Sequence, residues 1–201
     1  METRIAKIIS YLFHPLLMPS YGILLFFHLD KQVAHFVSFE VKRTLLLMTF
    51  CFTFVMPLLN TLILLRMKII TNLQLETKEE RRMPLLITII FYFAEYYILS
   101  EPEVPATLKL LMLSAIISLM LTLIINLFWK ISAHMIGIGG ITGMSIVLCY
   151  LFKNPELILI SSLIFLAAII AYARLKLAAH TSSEIYAGFL IGFLTPMIFL
   201  F

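Results

Sequence analysis

The chain has 201 residues, of which 62% are hydrophobic and 13% are charged. A soluble domain is nearer half apolar and a quarter charged, so this composition excludes a soluble globular protein. The formal net charge is +4. On so apolar a chain this excess suits phosphate or lipid head groups, and no segment resembles a nucleic-acid-binding module. We therefore expect the bilayer and a membrane lipid as partners and no nucleic acid, and we leave the oligomeric state open.

The apolar segments predict an all-α bundle that crosses the bilayer. They are about 17–23 residues long and do not alternate with polar residues, which is typical of membrane helices and not of barrel strands. We predict six or seven spans in one transmembrane domain, residues 1–201, with candidates at 8–29, 43–65, 83–100, 107–128, 136–152, 157–175 and 185–201. Because the first candidate contains His14, Pro15 and Pro19, it is predicted to be kinked or re-entrant.

Three connectors contain distinctive polar residues, namely 66–84, 129–140 and 173–184. Two predicted spans separate each of these connectors from the next, so the chain leaves one membrane face and returns to it each time. All three are therefore predicted to lie on the same face, whether the total is six spans or seven. The motif-bearing core is about residues 66–201.

The third connector carries a histidine and a carboxylate. Arg174 is followed after five residues by His180, and after three more by Glu184. Residues four apart share one face of a helix. A carboxylate bonded to one imidazole nitrogen fixes the tautomer and prepares the other nitrogen as a nucleophile or base. Arg174 offers a planar fork suited to phosphate, although a membrane-edge His–Glu pair beside a snorkelling arginine is the structural alternative.

The second connector contributes Lys130, Ser132 and His134. An interfacial histidine without chemistry is the alternative for His134. The glycines that follow allow close helix packing or approach of the backbone to a ligand, and packing is their more common use. They are Gly137, Gly139, Gly140 and Gly143.

The first connector contributes Lys78, Arg81 and Arg82, for which a solvated basic loop is the alternative. Pro84 is predicted to lie in the first turn of the next helix. Glu95 falls within a predicted span, where it is either paired or lines a cavity.

The residue types of the three connectors indicate metal-free phosphoryl transfer. They contain no metal-ligand pattern, because Asp30 is the only aspartate and both cysteines, Cys51 and Cys149, lie in apolar runs. We therefore predict neither a metal nor a cofactor. Cations would neutralise a phosphate and its transition state. One histidine would attack phosphorus, and the other would protonate the leaving oxygen.

The three connectors resemble the signature motifs of the type 2 phosphatidic acid phosphatases, integral-membrane lipid phosphatases related to haloperoxidases. That family's third motif is Ser-Arg, five residues, His, three residues, Asp, and this chain has Ala173, Arg174, His180 and Glu184 at those positions. The second motif, Pro-Ser-Gly-His, reads Ile131-Ser132-Ala133-His134 here.

The first motif of the family is a lysine, six residues, then Arg-Pro. Here KEERRMP supplies Lys78, Arg82 and Pro84 with an extra Met83 and a different lysine spacing, and Arg81 is a substitute for Arg82. The chain also departs from the usual arrangement in placing about 45 mostly apolar residues between its first two motifs.

The resemblance implies a role for each matching residue. His180 would be the nucleophile that forms a phosphohistidine, Glu184 would orient it, and His134 would be the general acid. The phosphate oxygens would be bound by Arg174, Arg82 or Arg81, Lys78 and Ser132. The implied substrates are phosphatidic acid, phosphatidylglycerophosphate and a polyprenyl diphosphate.

Two other functions are compatible with parts of the sequence. One is a catalytically inactive membrane protein that binds lipid head groups or a partner. The other is a prenyltransferase or a head-group transferase, but those enzymes normally use paired aspartates with Mg²⁺, and this chain has only Asp30.

The motif face is expected to point outward from the plasma (inner) membrane of a multi-pass protein. Of the 15 lysines and arginines, ten lie on the motif face if there are seven spans. The positive-inside rule would then place that face in the cytoplasm. Excluding five candidate phosphate binders leaves five basic residues on each face. A re-entrant first segment would move two more away from the motif face and so favour the outward orientation.

Overall fold

The computed structural model describes residues 2–100 and 104–200. Most of this part of the chain is helical, and it contains no strand. The fold is all-α, as predicted, and seven of its helices are long and apolar enough to cross a membrane, which is the higher of the two predicted counts. The helices are α1 (Glu2–Leu29), α2 (Lys31–Phe36), α3 (Phe39–Arg66), α4 (Lys78–Leu99), α5 (Ala106–Asn126), α6 (Ala133–Leu151), α7 (Leu157–Lys176) and α8 (Ser182–Leu200). Phe201, the predicted end of the last span, lies outside the described residues.

Helix α1 is kinked, as one of the two readings of its prolines predicted. An amphipathic segment, Glu2–Leu12, is joined through a 3₁₀ turn at Pro15–Leu17 to the segment Met18–Leu29. The second segment does not turn back, because the carbonyl of Leu29 accepts a hydrogen bond from Asn154 at the far end of the bundle. The chain therefore crosses here, and the re-entrant reading is wrong.

Helix α4 begins several residues before the predicted span. The side chain of Thr77 caps the helix by accepting a hydrogen bond from the backbone N–H of Glu80 at 3.3 Å. The charged residues that follow therefore form the first helical turn instead of a loop. Pro84 consequently lies inside the helix and not in its first turn. Hydropathy alone places the start of a span at its first apolar residue, which explains the error.

The connectors 67–77, 127–132 and 177–181 lie at one end of the bundle, here called the motif end. Contacts between residues distant in sequence establish this arrangement. Lys78 Nζ approaches the carbonyl of Phe128 at 3.5 Å, and the N–H of Ser132 donates to the carbonyl of Glu184 at 3.3 Å. The prediction that the three connectors share one face is confirmed.

Helices α6 and α8 touch along their backbones. A Cβ atom placed on Gly192 would come within 2.0 Å of the Ile136 carbonyl oxygen, and one on Gly143 within 2.2 Å of the Phe193 carbonyl oxygen. Only glycine permits such an approach, as in other membrane helix pairs that pack through small residues. Of the two uses considered for these glycines, the structure shows helix packing.

Candidate active site

A buried histidine–carboxylate pair stands at the start of α8. His180 Nδ1 and Glu184 Oε2 are 2.6 Å apart, and their side chains are only 1% and 11% exposed. Because a carboxylate oxygen can only accept, Nδ1 of His180 carries the proton. The unprotonated Nε2 atom is therefore the nitrogen with a free lone pair.

Glu184 is held in place by the helix start itself. Its backbone N–H donates to the Thr181 hydroxyl, and its carboxylate accepts from the Thr181 backbone N–H, each at 3.4 Å. This reciprocal pattern is a capping box, which the sequence Thr-Ser-Ser-Glu satisfies. The capping bonds turn the carboxylate back toward the helix N-terminus, where His180 lies.

Three cationic side chains surround His180. Burial, followed by the positive charges of Arg81, Arg174 and Lys130, lowers the pKa of His180 to about 3. The pKa of Lys130 is lowered as well, first by burial and then by Arg81, while Glu184 opposes that shift. The imidazole of His180 is thus neutral at neutral pH, as a nucleophile must be.

The two arginines are anchored through part of their guanidinium groups. Arg81 Nη1 donates to the Ile131 carbonyl at 3.0 Å, and its Nε donates to the Leu75 carbonyl at 2.9 Å. Arg174 Nη1 donates to the Ser10 hydroxyl at 3.1 Å. Each arginine therefore keeps donors that are not used in these contacts, in an orientation fixed by its anchor.

We call the group formed by His180, Glu184, Arg81, Arg174, Lys130 and Ser132 the cluster. Two of its buried polar atoms lack a partner within the described part of the chain. They are Arg174 Nε and Ser132 Oγ, and Ser132 is fully buried. A buried donor without a partner costs free energy, so such atoms point to a group that the site has yet to bind. Both atoms would be satisfied by the oxygen atoms of an anion.

The helix directions add to the positive potential of the motif end. Helices α4, α6 and α8 all begin there, so their unpaired N–H groups and the positive ends of their dipoles point toward the connectors. Anions bind favourably at such helix N-termini. The cluster is therefore cationic through its side chains and through its backbone.

His134 lies in the first turn of α6, and its Nε2 is 3.1 Å from the Ser10 carbonyl oxygen. Since a carbonyl only accepts, Nε2 carries a proton and Nδ1 is the atom free to exchange one. The ring of His14 packs edge-on against His134, with 5.7 Å between ring centroids. The first helix therefore forms one wall of the site.

Two predicted phosphate binders, Arg82 and Lys78, do not lie within the cluster. Arg82 is exposed on the outer side of α4, whereas its neighbour Arg81 is half-buried and points inward. Successive residues of a helix differ by about 100° in direction, so only one of the two can face the site. The structure brings Arg81 to the cluster in place of Arg82. Lys78 lies at the edge, against Phe128.

The contribution of Ser10 and His14 was not predicted. Neither belongs to the three connectors, and both reach the site only because α1 bends at the motif end. The available signal was a histidine directly before a proline in an apolar run. His14 Nδ1 accepts the N–H of Leu16 at 3.3 Å and so caps the bend.

No three histidine, cysteine, aspartate or glutamate side chains within residues 2–100 and 104–200 are grouped so as to hold a metal ion. Glu95 is remote from the cluster, fully buried, and hydrogen-bonded through Oε1 to the Thr49 hydroxyl at 2.5 Å. It also lines a cavity between the helices. Both readings of Glu95, paired and cavity-lining, are therefore confirmed.

Comparison with known proteins gave no relative: no family model, no curated protein and no solved structure matches this chain.

Proposed function

We propose that this membrane protein is a metal-independent phosphatase that hydrolyses a lipid phosphate or diphosphate through a phosphohistidine. The observation that carries the proposal is the neutral His180, paired with Glu184 at 2.6 Å and surrounded by three cations. A neutral imidazole attacks phosphorus, and cations and unpaired donors stabilise the oxygens that gain charge. The resemblance to type 2 phosphatidic acid phosphatases implies the same roles for His180, Glu184 and Arg174.

In the first step, the lone pair of His180 Nε2 forms a bond to phosphorus, and the bond from phosphorus to the lipid oxygen breaks. Glu184 stabilises the positive charge that develops on the imidazole. His134 gives a proton to the departing lipid oxygen, so an alcohol leaves, or a monophosphate when the substrate is a diphosphate. For this step His134 must carry a proton on Nδ1 as well as the one on Nε2.

In the second step, a water molecule attacks the phosphohistidine. His134, now neutral, accepts a proton from the water at Nδ1, and the bond between phosphorus and His180 Nε2 breaks. Inorganic phosphate leaves, and both histidines return to their starting protonation states. Arg174, Arg81, Lys130 and Ser132 are the candidates for binding the phosphate oxygens throughout.

A lipid substrate fits the position of the cluster. The cluster lies at the ends of membrane-spanning helices, where the head group of a lipid resides while its chains remain in the hydrocarbon region. Phosphatidic acid, phosphatidylglycerophosphate and a polyprenyl diphosphate all present a terminal phosphate at that depth. A soluble phosphate ester would gain nothing from a site placed there.

The test is phosphate release from these three lipids by the purified protein in EDTA. We expect turnover to persist in EDTA and to disappear in His180→Ala. His35→Ala is the matched control, because His35 is exposed near the opposite end of the bundle. Binding of these lipids without turnover would instead favour a non-catalytic lipid-binding protein. Turnover that His180→Ala leaves intact would exclude the mechanism.

The side of the membrane on which the site faces is a separate proposal. We retain the outward orientation, because the family that the motifs resemble usually acts on the outer side of the plasma membrane. With seven spans, ten of the 15 lysines and arginines lie at the motif end, and only three of those are in the cluster. That excess favours the cytoplasm by the positive-inside rule. Labelling of cysteine variants in intact cells with an impermeant maleimide decides between the two orientations. An outward motif end predicts labelling of Gln74→Cys and not of Gln32→Cys, which probes the opposite end, and a cytoplasmic motif end predicts the reverse.

A further inference from the structure

A cavity of about 140 Å³ runs between the helices beneath the candidate active site. Its lining begins at Pro15 and Ala133, close to His14 and His134, and continues to Leu108 near the opposite end. Along α5 the lining extends from Thr122 to Leu108, which is about 21 Å at 1.5 Å per residue. The cavity is therefore long and narrow, and one end lies at Pro15 and Ala133, the residues next in sequence to His14 and to Ser132 and His134.

The walls are almost wholly apolar, and buried apolar cavities of similar volume stay dry and accept hydrocarbon guests. A lipid whose phosphate is bound in the cluster has its chains at the mouth of this cavity. The shape and chemistry of the cavity thus suit one hydrocarbon chain of the proposed substrate.

Glu95 is the one carboxylate among the described residues that line the cavity, where the other polar groups are hydroxyls. Its Oε1 accepts a hydrogen bond from Thr49, whereas Oε2 is buried and has no partner within the described residues. A buried carboxyl oxygen requires a partner in either protonation state. If the group is charged, Oε2 needs a donor; if Oε2 carries the proton, it needs an acceptor.

A hydroxyl group satisfies both cases, because it donates one hydrogen bond and accepts two. An ammonium group satisfies only the charged carboxylate, and a carbonyl only the protonated one. Glu95 lies 14 residues after Arg81 on the same helix, which places it about 21 Å deeper in the membrane. A partner for Oε2 must therefore be carried well down the chain of a lipid and not on its head group.

We infer that the cavity binds one chain of the lipid substrate and that Glu95 selects a chain bearing a hydroxyl group part way along its length. This inference rests on the proposed function, of which it narrows the substrate class. Plain chains would still enter the cavity, but they would leave Glu95 Oε2 unpaired.

The experiment measures binding, so that it does not depend on turnover. His180→Ala in lipid nanodiscs is titrated with phosphatidic acid carrying either stearoyl or hydroxystearoyl chains, with the hydroxyl moved along the chain in a series of isomers. We expect about tenfold tighter binding for the isomer whose hydroxyl reaches Glu95, which corresponds to one buried hydrogen bond. In Glu95→Leu, made in the same background, that preference should vanish while the plain lipid binds at least as tightly.

The matched control is Glu156→Leu, because Glu156 is a carboxylate near the opposite end that does not line the cavity. If Glu95→Leu does not fold, Thr49→Val replaces it, since loss of the hydroxyl that holds Oε1 should weaken the same preference. Equal binding of all isomers by the unsubstituted cavity would overturn the inference, and so would an unchanged preference in Glu95→Leu. If the protein prefers the hydroxylated lipid but the unsubstituted enzyme releases no phosphate from any lipid, the phosphatase proposal is refuted and the inference about Glu95 stands.

Discussion

Replacement of Glu184 by glutamine separates a catalytic role from a structural one. The carboxylate has two roles in the structure. It accepts a hydrogen bond from the protonated Nδ1 of His180, and it caps α8 by accepting one from the backbone N–H of Thr181. A glutamine oxygen can accept both hydrogen bonds but carries no charge. The free energy of unfolding should therefore change by less than about 1 kcal/mol, whereas loss of the cap altogether costs about 1 kcal/mol and an unpaired buried donor about 1–3 kcal/mol.

The effect of Glu184→Gln on catalysis should be much larger. The pair is buried, so solvent screens it little, and a hydrogen bond to a charged partner contributes about 1.5–3 kcal/mol. If that stabilisation is greatest when the imidazole becomes positive, turnover falls about 10- to 150-fold. Trapping of the acid-labile phosphohistidine on radiolabelled lipid substrate measures the step directly. Glu79→Gln, an exposed carboxylate of the motif end, is the control and should retain full activity.

Wild-type turnover in Glu184→Gln, at equal protein stability, would refute the reasoning. The pair would then be a membrane-edge structural contact. Loss of stability in Glu184→Ala accompanied by normal turnover per folded molecule would lead to the same conclusion.

Three further outcomes are expected. Arg81→Met should lower turnover at least tenfold and Arg82→Met should lower it less than twofold, because only Arg81 lies in the cluster; phosphate-release assays compare them. The His180 ring should stay neutral by nitrogen NMR from about pH 8 to about pH 5, since its pKa is lowered to about 3. Below about pH 6.5 the unfolded chain therefore binds a proton that the native chain does not. The free energy of unfolding should consequently fall as the pH is lowered below that value. Gly192→Ala should lower that free energy by about 1–3 kcal/mol in a denaturation assay, whereas Gly140→Ala, whose added Cβ would meet its nearest atom at 3.7 Å, should be tolerated. A ring that titrates near pH 6.5, equal losses in the two arginine variants, or equal stability of the two glycine variants would each contradict the respective argument.

The sequence was sufficient for the helix number to within one, the shared face of the connectors, and the contact between His180 and Glu184. These follow from the length of apolar runs and from helical spacing, which are local properties. The direction of a side chain around a helix depends on where the helix begins and what it packs against. The choice between Arg81 and Arg82 could not be made for that reason, since the start of α4 was misplaced by several residues.

The contributions of α1 and of Glu95 could not be predicted either, because both depend on contacts between helices distant in sequence. Ser10 reaches Arg174 across 164 residues, and Thr49 reaches Glu95 across 46 residues. A histidine before a proline and a carboxylate within a span each signalled an unusual position. Neither signal identified the partner, since hydropathy specifies which segments enter the membrane but not which ones become neighbours.

The distance between the two proposed catalytic histidines depends on glycines of the helices as well as on the motifs themselves. His134 stands at the start of α6, and His180 immediately precedes α8. Near their starts the two helices are in backbone contact, since a Cβ on Gly188 would lie 2.7 Å from the Ser132 carbonyl oxygen. Any side chain at that position would push the two helix ends apart. Because general-acid catalysis falls off steeply when the proton donor and the leaving oxygen separate, a single methyl group at Gly188 should cost activity while leaving every polar residue of the site in place.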